Sequence, residues 1–190
     1  MKKLIVITTL LTAGLFSQAQ VKFGIKAGAN FFRFTGDDAF DGVSSKLRVG
    51  LAAGGLVQIP INETFSVQPE LLYSMEGAKF KEDGEKAIFK NDYIKVPVMF
   101  QYNASGFYAE TGPQIGFLVS AKLSDGDNDV DYKDNLKSTA FAWTVGLGYR
   151  LTSGIAVGAR YDIGLSSISD SGDEKIKNSG FHVGLSYLFK

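Results

Sequence analysis

The last strand-like stretch of the chain decides the fold: Phe181-His182-Val183-Gly184-Leu185-Ser186-Tyr187-Leu188-Phe189. Neighbouring side chains of an extended strand point to opposite faces. One face therefore carries Phe181, Val183, Leu185, Tyr187 and Phe189, and the other carries His182, Gly184, Ser186 and Leu188. This period of two predicts a β-strand with one apolar face and one face of mainly small or polar residues.

The same alternation recurs upstream and predicts eight strands. They are expected at 21–34, 46–60, 65–79, 92–102, 107–121, 138–151, 155–167 and 179–190. Short connections at 62–64, 103–106 and 152–154 alternate with long polar ones at 35–45, 80–91, 123–137 and 168–178. Short periplasmic turns and long external loops are typical of outer-membrane barrels. The sequence therefore predicts an all-β fold, an eight-stranded antiparallel up-and-down transmembrane β-barrel with both termini on the periplasmic side.

Alternation alone leaves open which face points inward, and a soluble lipocalin-like carrier of an apolar ligand is the main alternative. Two patterns favour the membrane barrel. The polar face is rich in glycine, which suits a narrow, packed lumen. Aromatic residues gather near both ends of the apolar face, as at two membrane interfaces. The end with short turns carries Phe23, Phe65, Tyr102, Phe107, Tyr149, Tyr187 and Phe189, and the other end carries Phe31, Tyr73, Phe117, Phe141 and Phe181.

The first 19 residues have the pattern of a secretory signal peptide. Lys2 and Lys3 precede an apolar run that ends at Phe16, and Ser17-Gln18-Ala19 places small residues before a cleavage site. The run is shorter than the roughly 20 apolar residues that a membrane-spanning helix needs. We expect residues 1–19 to be removed and residues 20–190 to form the barrel domain in the outer membrane of a Gram-negative bacterium.

Composition excludes several classes of function. The formal net charge is +0, which gives no basic surface for nucleic acid. The chain has no cysteine, so disulfides, thiolate metal sites and a thiol nucleophile are excluded. No nucleotide-binding fingerprint is present, because Gly146-x-Gly148 lacks the third glycine and the following helix. No cofactor is expected.

The two ends of the mature chain resemble a known family. The opening segment Val21-Lys22-Phe23-Gly24-Ile25-Lys26-Ala27-Gly28 and the closing segment 182–189, together with the export signal, resemble the PorT-like outer-membrane β-barrel family. The closing segment also resembles the signature by which barrel-assembly machinery recognises its clients, here His182, Gly184, Tyr187 and Phe189. The resemblance permits an accessory role in protein secretion. The partners it implies are outer-membrane lipid, lipopolysaccharide, the assembly machinery and other envelope proteins.

Charged residues on the polar face form a candidate lumen network. Its members are Lys22, Lys26, Arg48, Glu70, Glu76, Lys95, Glu110, Arg150, Arg160, Asp162 and His182. An eight-stranded barrel has room inside for little besides side chains, so these charges should pair and plug the lumen. Replacing one partner, as in Glu110→Ala, should then destabilise the fold by a few kcal/mol.

Two other site hypotheses are weaker. His182 with diagonal neighbour Asp162, and with Ser166 or Ser186 nearby, has the skeleton of an acyl-transfer site like that of lipid-modifying enzymes. The acidic run 125–131 could bind calcium, but Val130 stands where an EF-hand needs glycine and Leu136 where it needs glutamate. The sequence thus favours a structural, adhesive or accessory protein over an enzyme or a general porin, with the external loops as its working surface.

Overall fold

The computed structural model describes residues 21–36, 45–82, 85–124, 128–170 and 176–189. The strands are β1 (Lys22–Thr35), β2 (Lys46–Pro60), β3 (Phe65–Glu82), β4 (Glu85–Ala104), β5 (Phe107–Ser124), β6 (Asp129–Asp131), β7 (Thr139–Arg150), β8 (Ile155–Gly164) and β9 (Lys177–Leu188). A 3₁₀ turn at Lys133–Asn135 follows β6. Within these ranges, no helical segment has both the length and the apolar character needed to span a bilayer. The expected signal peptide and residues 125–127 lie outside the described part.

Eight of the strands close into an antiparallel barrel. Their order around the wall is β4, β3, β2, β1, β9, β8, β7 and β5, and β4 pairs with β5 to close the ring. The first and last strands meet along almost their whole length, from Gly24 opposite Leu188 to Thr35 opposite Lys177. Closure leaves every strand of the wall paired on both sides, which is required where strands cross lipid. The predicted fold class is confirmed.

The prediction of a long polar loop at 80–91 is wrong. The ladder between β3 and β4 continues to Glu82 opposite Glu85, so this connection is an extended hairpin. Apolar packing explains the difference, because the rings of Phe80 and Phe89 lie 5.3 Å apart and both contact the ring of Phe34. The predicted loop at 123–137 also contains ordered structure, since β6 pairs with the end of β5.

The two faces of the wall differ as a membrane barrel requires. Leu147 and Phe107 point outward and are 67% and 66% exposed, whereas Glu70 and Arg160 point inward and are 4% and 6% exposed. Outward side chains from both expected aromatic belts are also exposed, as with Phe65 and Phe181. A soluble carrier of an apolar ligand would show the opposite sorting, with an apolar interior and a polar exterior. The lipocalin-like alternative is therefore wrong.

Glycines on the inner face allow the strands and lumen side chains to approach closely. A Cβ atom on Gly54 would lie 2.0 Å from the carbonyl oxygen of Leu71, and one on Gly148 or Gly158 would lie 2.4 Å from the Tyr108 hydroxyl. The glycine-rich face predicted from the sequence thus faces the lumen and makes room for its contents.

The external end of the lumen is covered by two connections that pair with each other. Lys137 N donates to Ile168 O at 2.9 Å, and Asp170 N donates to Asn135 O at 3.2 Å. Ile168 is buried against Phe34 and other apolar side chains that extend inward from the wall. A second apolar cluster, of Tyr93, Leu118, Ala121, Tyr132, Leu136 and Ala140, lies beside it. The lumen therefore ends in apolar packing on this side.

Candidate functional site

A guanidinium held between two carboxylates forms the centre of the lumen. Arg160 on β8 donates from Nη1 and Nη2 to Glu70 on β3, at 2.8 and 2.6 Å. It donates from Nε and Nη2 to Glu110 on β5, at 2.5 and 2.9 Å. Lys26 Nζ lies 3.6 Å from Glu70 Oε1. Strands β3 and β8 lie on opposite sides of the ring, so this cluster spans the lumen.

A second cluster lies next to the first and also joins opposite walls. Lys95 on β4 forms ion pairs with Glu76 on β3 and with Asp162 on β8, the latter at 2.9 Å. Asp162 accepts further hydrogen bonds from Gln114 Nε2 at 3.0 Å and from Thr144 Oγ1 at 2.7 Å. These partners satisfy the carboxylate in a site that neither water nor lipid reaches freely.

Hydrogen bonds extend this second cluster toward the external end. Glu76 accepts from Asn178 Nδ2 at 2.6 Å, and its backbone carbonyl accepts from Arg48 Nη1. Arg48 also lies 4.0 Å from Asp92. Charges of both signs are thus paired along the lumen, which removes the open water path that a channel would need.

Two residues of the predicted lumen network, Lys22 and Arg150, lie outside these two clusters. Lys22 faces the lumen by its register opposite Gln58, yet its side chain is exposed at the periplasmic mouth. Arg150 stands near the same mouth, with its guanidinium carbon 5.2 Å from the centre of the Tyr108 ring. Neither forms an ion pair with a carboxylate among the described residues.

His182 is not arranged for acyl transfer. It is the diagonal neighbour of Asp162, as expected, because it pairs with Arg160 and Asp162 pairs with Gly180. Its Nδ1 instead lies 2.8 Å from Asn30 Oδ1. The two oxygens of Asp162 accept hydrogen bonds from Lys95, Gln114 and Thr144. Ser166 Oγ accepts from the backbone N–H of Phe141 at 2.8 Å. No nucleophile, base and carboxylate therefore line up among the described residues.

The described part of the acidic loop is occupied by local contacts. Asp129 pairs with Lys90 at 2.8 Å, and hydrogen bonds from Lys90 and Ser124 hold the pKa of Asp129 below its usual value. Asp131 Oδ1 accepts from the backbone N–H of Lys133 at 2.9 Å. Burial raises the pKa of the nearby Tyr132 hydroxyl. No group of three metal ligands forms within the described ranges.

The assembly signature lies on β9 and at its end. His182 and Gly184 face the lumen, whereas Tyr187 and Phe189 lie at the membrane face with their ring centres 5.6 Å apart. Because β9 pairs with both β8 and β1, this segment lies at the seam that closes the barrel.

Sequence reasoning based on charge missed the uncharged members of the lumen. Gln101 donates to Glu110 Oε2 at 2.9 Å, and Gln68 donates to Glu70 Oε1 at 2.6 Å. Asn30 donates to Ser74 Oγ at 2.9 Å. The period-two pattern assigns these residues to the polar face, so the same alternation that located the charges could have found them.

Comparison with known proteins agrees with this architecture. Residues 16–170 match the family model described as "Outer membrane protein beta-barrel domain". Neisserial surface protein A is similar in structure, with 14% identity, a TM-score of 0.58, and 88% of this chain and 97% of that chain covered. Ail, the attachment invasion locus protein of Yersinia pestis, gives 19% identity, a TM-score of 0.52, and coverage of 88% and 98%. At these identities the two structures support the fold alone. No curated protein matches the chain by sequence.

Removing one carboxylate from the central cluster should destabilise the barrel. We expect Glu110→Ala to lower the free energy of unfolding by about 3 to 5 kcal/mol, because Arg160 would keep only one of its two buried partners. Urea titration of the refolded protein in detergent micelles measures the change. The control Asp129→Ala should have no measurable effect, since its pair with Lys90 is exposed on both sides. Equal effects of the two variants would contradict a dry lumen network.

Proposed function

The chain belongs to the outer membrane protein beta-barrel domain family, and on that premise we propose that it is a non-conducting scaffold whose external end is an adhesive surface. The observation that carries the proposal is the lumen plug. Arg160, Glu70 and Glu110 are bonded across the barrel, and the external end is packed with apolar side chains around Ile168. A barrel filled in this way leaves its outer surface and its loops as the places where a partner can bind.

The external end carries a folded surface that suits this role. A cleft of about 530 Å³ is lined by Leu118, Lys133, Asp134, Leu136, Lys137, Ser138, Thr139 and Asp170. The side chains of Lys133 and Lys137 are exposed there, and Lys122 is exposed nearby on β5. Since the backbone around the cleft is hydrogen-bonded between two connections, the lysines are presented by an ordered segment. The exposed carboxylates of Asp134 and Asp170 in the same lining oppose these charges. An anionic surface polymer is the partner chemistry that Lys133 and Lys137, with Lys122 nearby, fit.

A sulfated glycan is a suitable probe of this surface. Ail of Yersinia pestis, which is 19% identical to this chain with a TM-score of 0.52, has been solved in complex with the heparin analogue sucrose octasulfate. That complex is a property of Ail, and here it only suggests the probe. The exposed Lys133 and Lys137 of the cleft are the independent reason for using it.

The remaining partner expectations fit the same scaffold. We infer that the exposed apolar belt contacts lipid and that its external edge contacts lipopolysaccharide. We also infer that the assembly machinery recognises the signature on β9. The finer PorT-like resemblance of segments 21–28 and 182–189 supports an accessory role in secretion as the second candidate. Acyl-transfer chemistry has no support from the contacts of His182, whose ring is bonded to Asn30.

The plugged lumen predicts the absence of channel activity. The refolded barrel, inserted into a planar lipid bilayer at neutral pH, should show no discrete single-channel steps, because paired side chains fill the pore. The Arg160→Ala variant, which lacks the central guanidinium of the plug, is the comparison. It should show transient openings or fail to insert. Stable, ohmic conductance of the unmodified protein would contradict the scaffold proposal.

The adhesive surface predicts retention of cells on an anionic glycan. Bacteria displaying the barrel should bind immobilised heparin at physiological salt, and the double substitution Lys133→Gln, Lys137→Gln should reduce retention several-fold because two exposed charges are lost. Lys22→Gln, an exposed lysine at the periplasmic mouth, is the matched control and should change nothing. Retention that is independent of Lys133 and Lys137, with co-purification of other envelope proteins, would favour the accessory role instead.

A further inference from the structure

The periplasmic end of the lumen differs from the external end because it opens into a polar cavity. This cavity has a volume of about 350 Å³ and lies among the three short connections of the barrel. Its lining residues are Gln58, Pro60, Asn62, Glu63, Ser66, Asn103, Ala104, Ser105, Gly106, Phe107, Arg150, Leu151 and Thr152. A cavity of this size can hold a small ligand or the head of a larger one.

Arg150, which lines this cavity, differs from the other lumen cations in its partners. The lumen cations deeper in the barrel all have a carboxylate partner: Lys26 has Glu70, Lys95 has Glu76 and Asp162, Arg160 has Glu70 and Glu110, and Arg48 has Asp92 at 4.0 Å. Arg150 has no such ion pair among the described residues. A guanidinium held partly out of water without an anion is a costly arrangement unless a ligand supplies one.

The surroundings of Arg150 hold its guanidinium in place without neutralising it. The side-chain amide of Gln58 lies 2.8 Å from Nη1 and 3.2 Å from Nη2, and its oxygen accepts from both when the amide is turned toward Arg150. The Tyr108 ring lies beneath the guanidinium carbon at 5.2 Å. The Nε donor is buried and has no hydrogen-bond partner within the described structure. All of these neighbours are uncharged, so the positive charge stays available.

We propose that the periplasmic mouth is an oxyanion-binding site, in which Arg150 binds a carboxylate or phosphate group presented from the periplasmic side. The planar fork of a guanidinium matches both groups and forms charge-assisted hydrogen bonds to them. Lys22, exposed at the mouth opposite Gln58, adds positive potential, and the exposed carboxylate of Glu63 on the rim opposes it. The balance of these three charges sets the affinity.

The site can hold a ligand but cannot pass it onward. The side-chain amide of Gln58 at the cavity floor lies 2.8 Å from that of Gln101, which in turn lies 2.9 Å from the carboxylate of Glu110. These close contacts connect the floor of the cavity to the central plug. The mouth is therefore a closed cup facing the periplasm, and the anion bound in it is either a soluble molecule or the headgroup of an inner-leaflet lipid.

Nuclear magnetic resonance on the refolded mature chain tests the proposal. In an uncharged maltoside detergent, which contains no phosphate, titration with inorganic phosphate or succinate should shift the Arg150 Nε–H signal and the backbone signal of Gly106. In nanodiscs, replacing zwitterionic lipid with phosphatidylglycerol tests the lipid source. Shifts with soluble anions in detergent indicate a soluble ligand, and shifts with phosphatidylglycerol alone indicate a lipid headgroup.

Two substitutions with opposite expected effects on the anion affinity make the result decisive. Arg150→Gln should weaken anion binding by about tenfold or more through loss of charge-assisted hydrogen bonds. Glu63→Gln, in an exposed turn where folding is not at risk, should strengthen it because a rim carboxylate is removed. Arg33→Gln, an exposed outward-facing arginine at the external end, is the control and should leave the affinity unchanged. The absence of any shift at the mouth in both media, or shifts that Arg150→Gln and Glu63→Gln leave unaltered, would overturn the proposal.

Discussion

The structure depends on burying charge where lipid cannot reach it. Arg160 on β8 bonds to Glu70 on the opposite wall and to Glu110 on β5, at distances between 2.5 and 2.9 Å. Removing such ions from water is costly, and only close pairing with further hydrogen bonds offsets the cost. Because the partners come from β3, β5 and β8, they can meet only when the barrel has closed. The cluster therefore ties the conformation of each strand to the closure of the whole ring.

The same constraint explains why the two ends of the lumen differ. Toward the outside, the paired charges give way to apolar side chains and to connections that bond to each other over Ile168. Toward the periplasm, the tight turns are too short to fold back over the lumen, and a polar cavity with Arg150 is left open. An adhesive role for the external end and an anion site at the periplasmic mouth are thus compatible, since the central plug separates them.

The sequence predicted the strands and the orientation of their faces because both follow from a strict period of two. It placed Glu70 and Arg160 on one face, but it could not pair them, since that requires the order of strands around a closed ring. The prediction of a polar loop at 80–91 is wrong for a physical reason. Phe80 and Phe89 contact each other across a hairpin, and this apolar contact stabilises the strands despite the polar residues around them. The strand register confirms that His182 and Asp162 are diagonal neighbours, but the sequence pattern does not reveal that Lys95 and Thr144 occupy the Asp162 carboxylate.

The apolar face of the wall meets lipid while the charges lie inside, and Trp143 reports on this arrangement directly. It is the single tryptophan of the chain, lies on the outward face of β7, is 40% exposed and donates to Thr111 Oγ1 at 2.8 Å. The measurement is its fluorescence in bilayers whose acyl chains carry bromine, compared with unbrominated bilayers. Strong quenching by the brominated chains is the predicted result. Emission that is the same in both bilayers, from protein shown to be folded and inserted, would contradict the assignment of inside and outside.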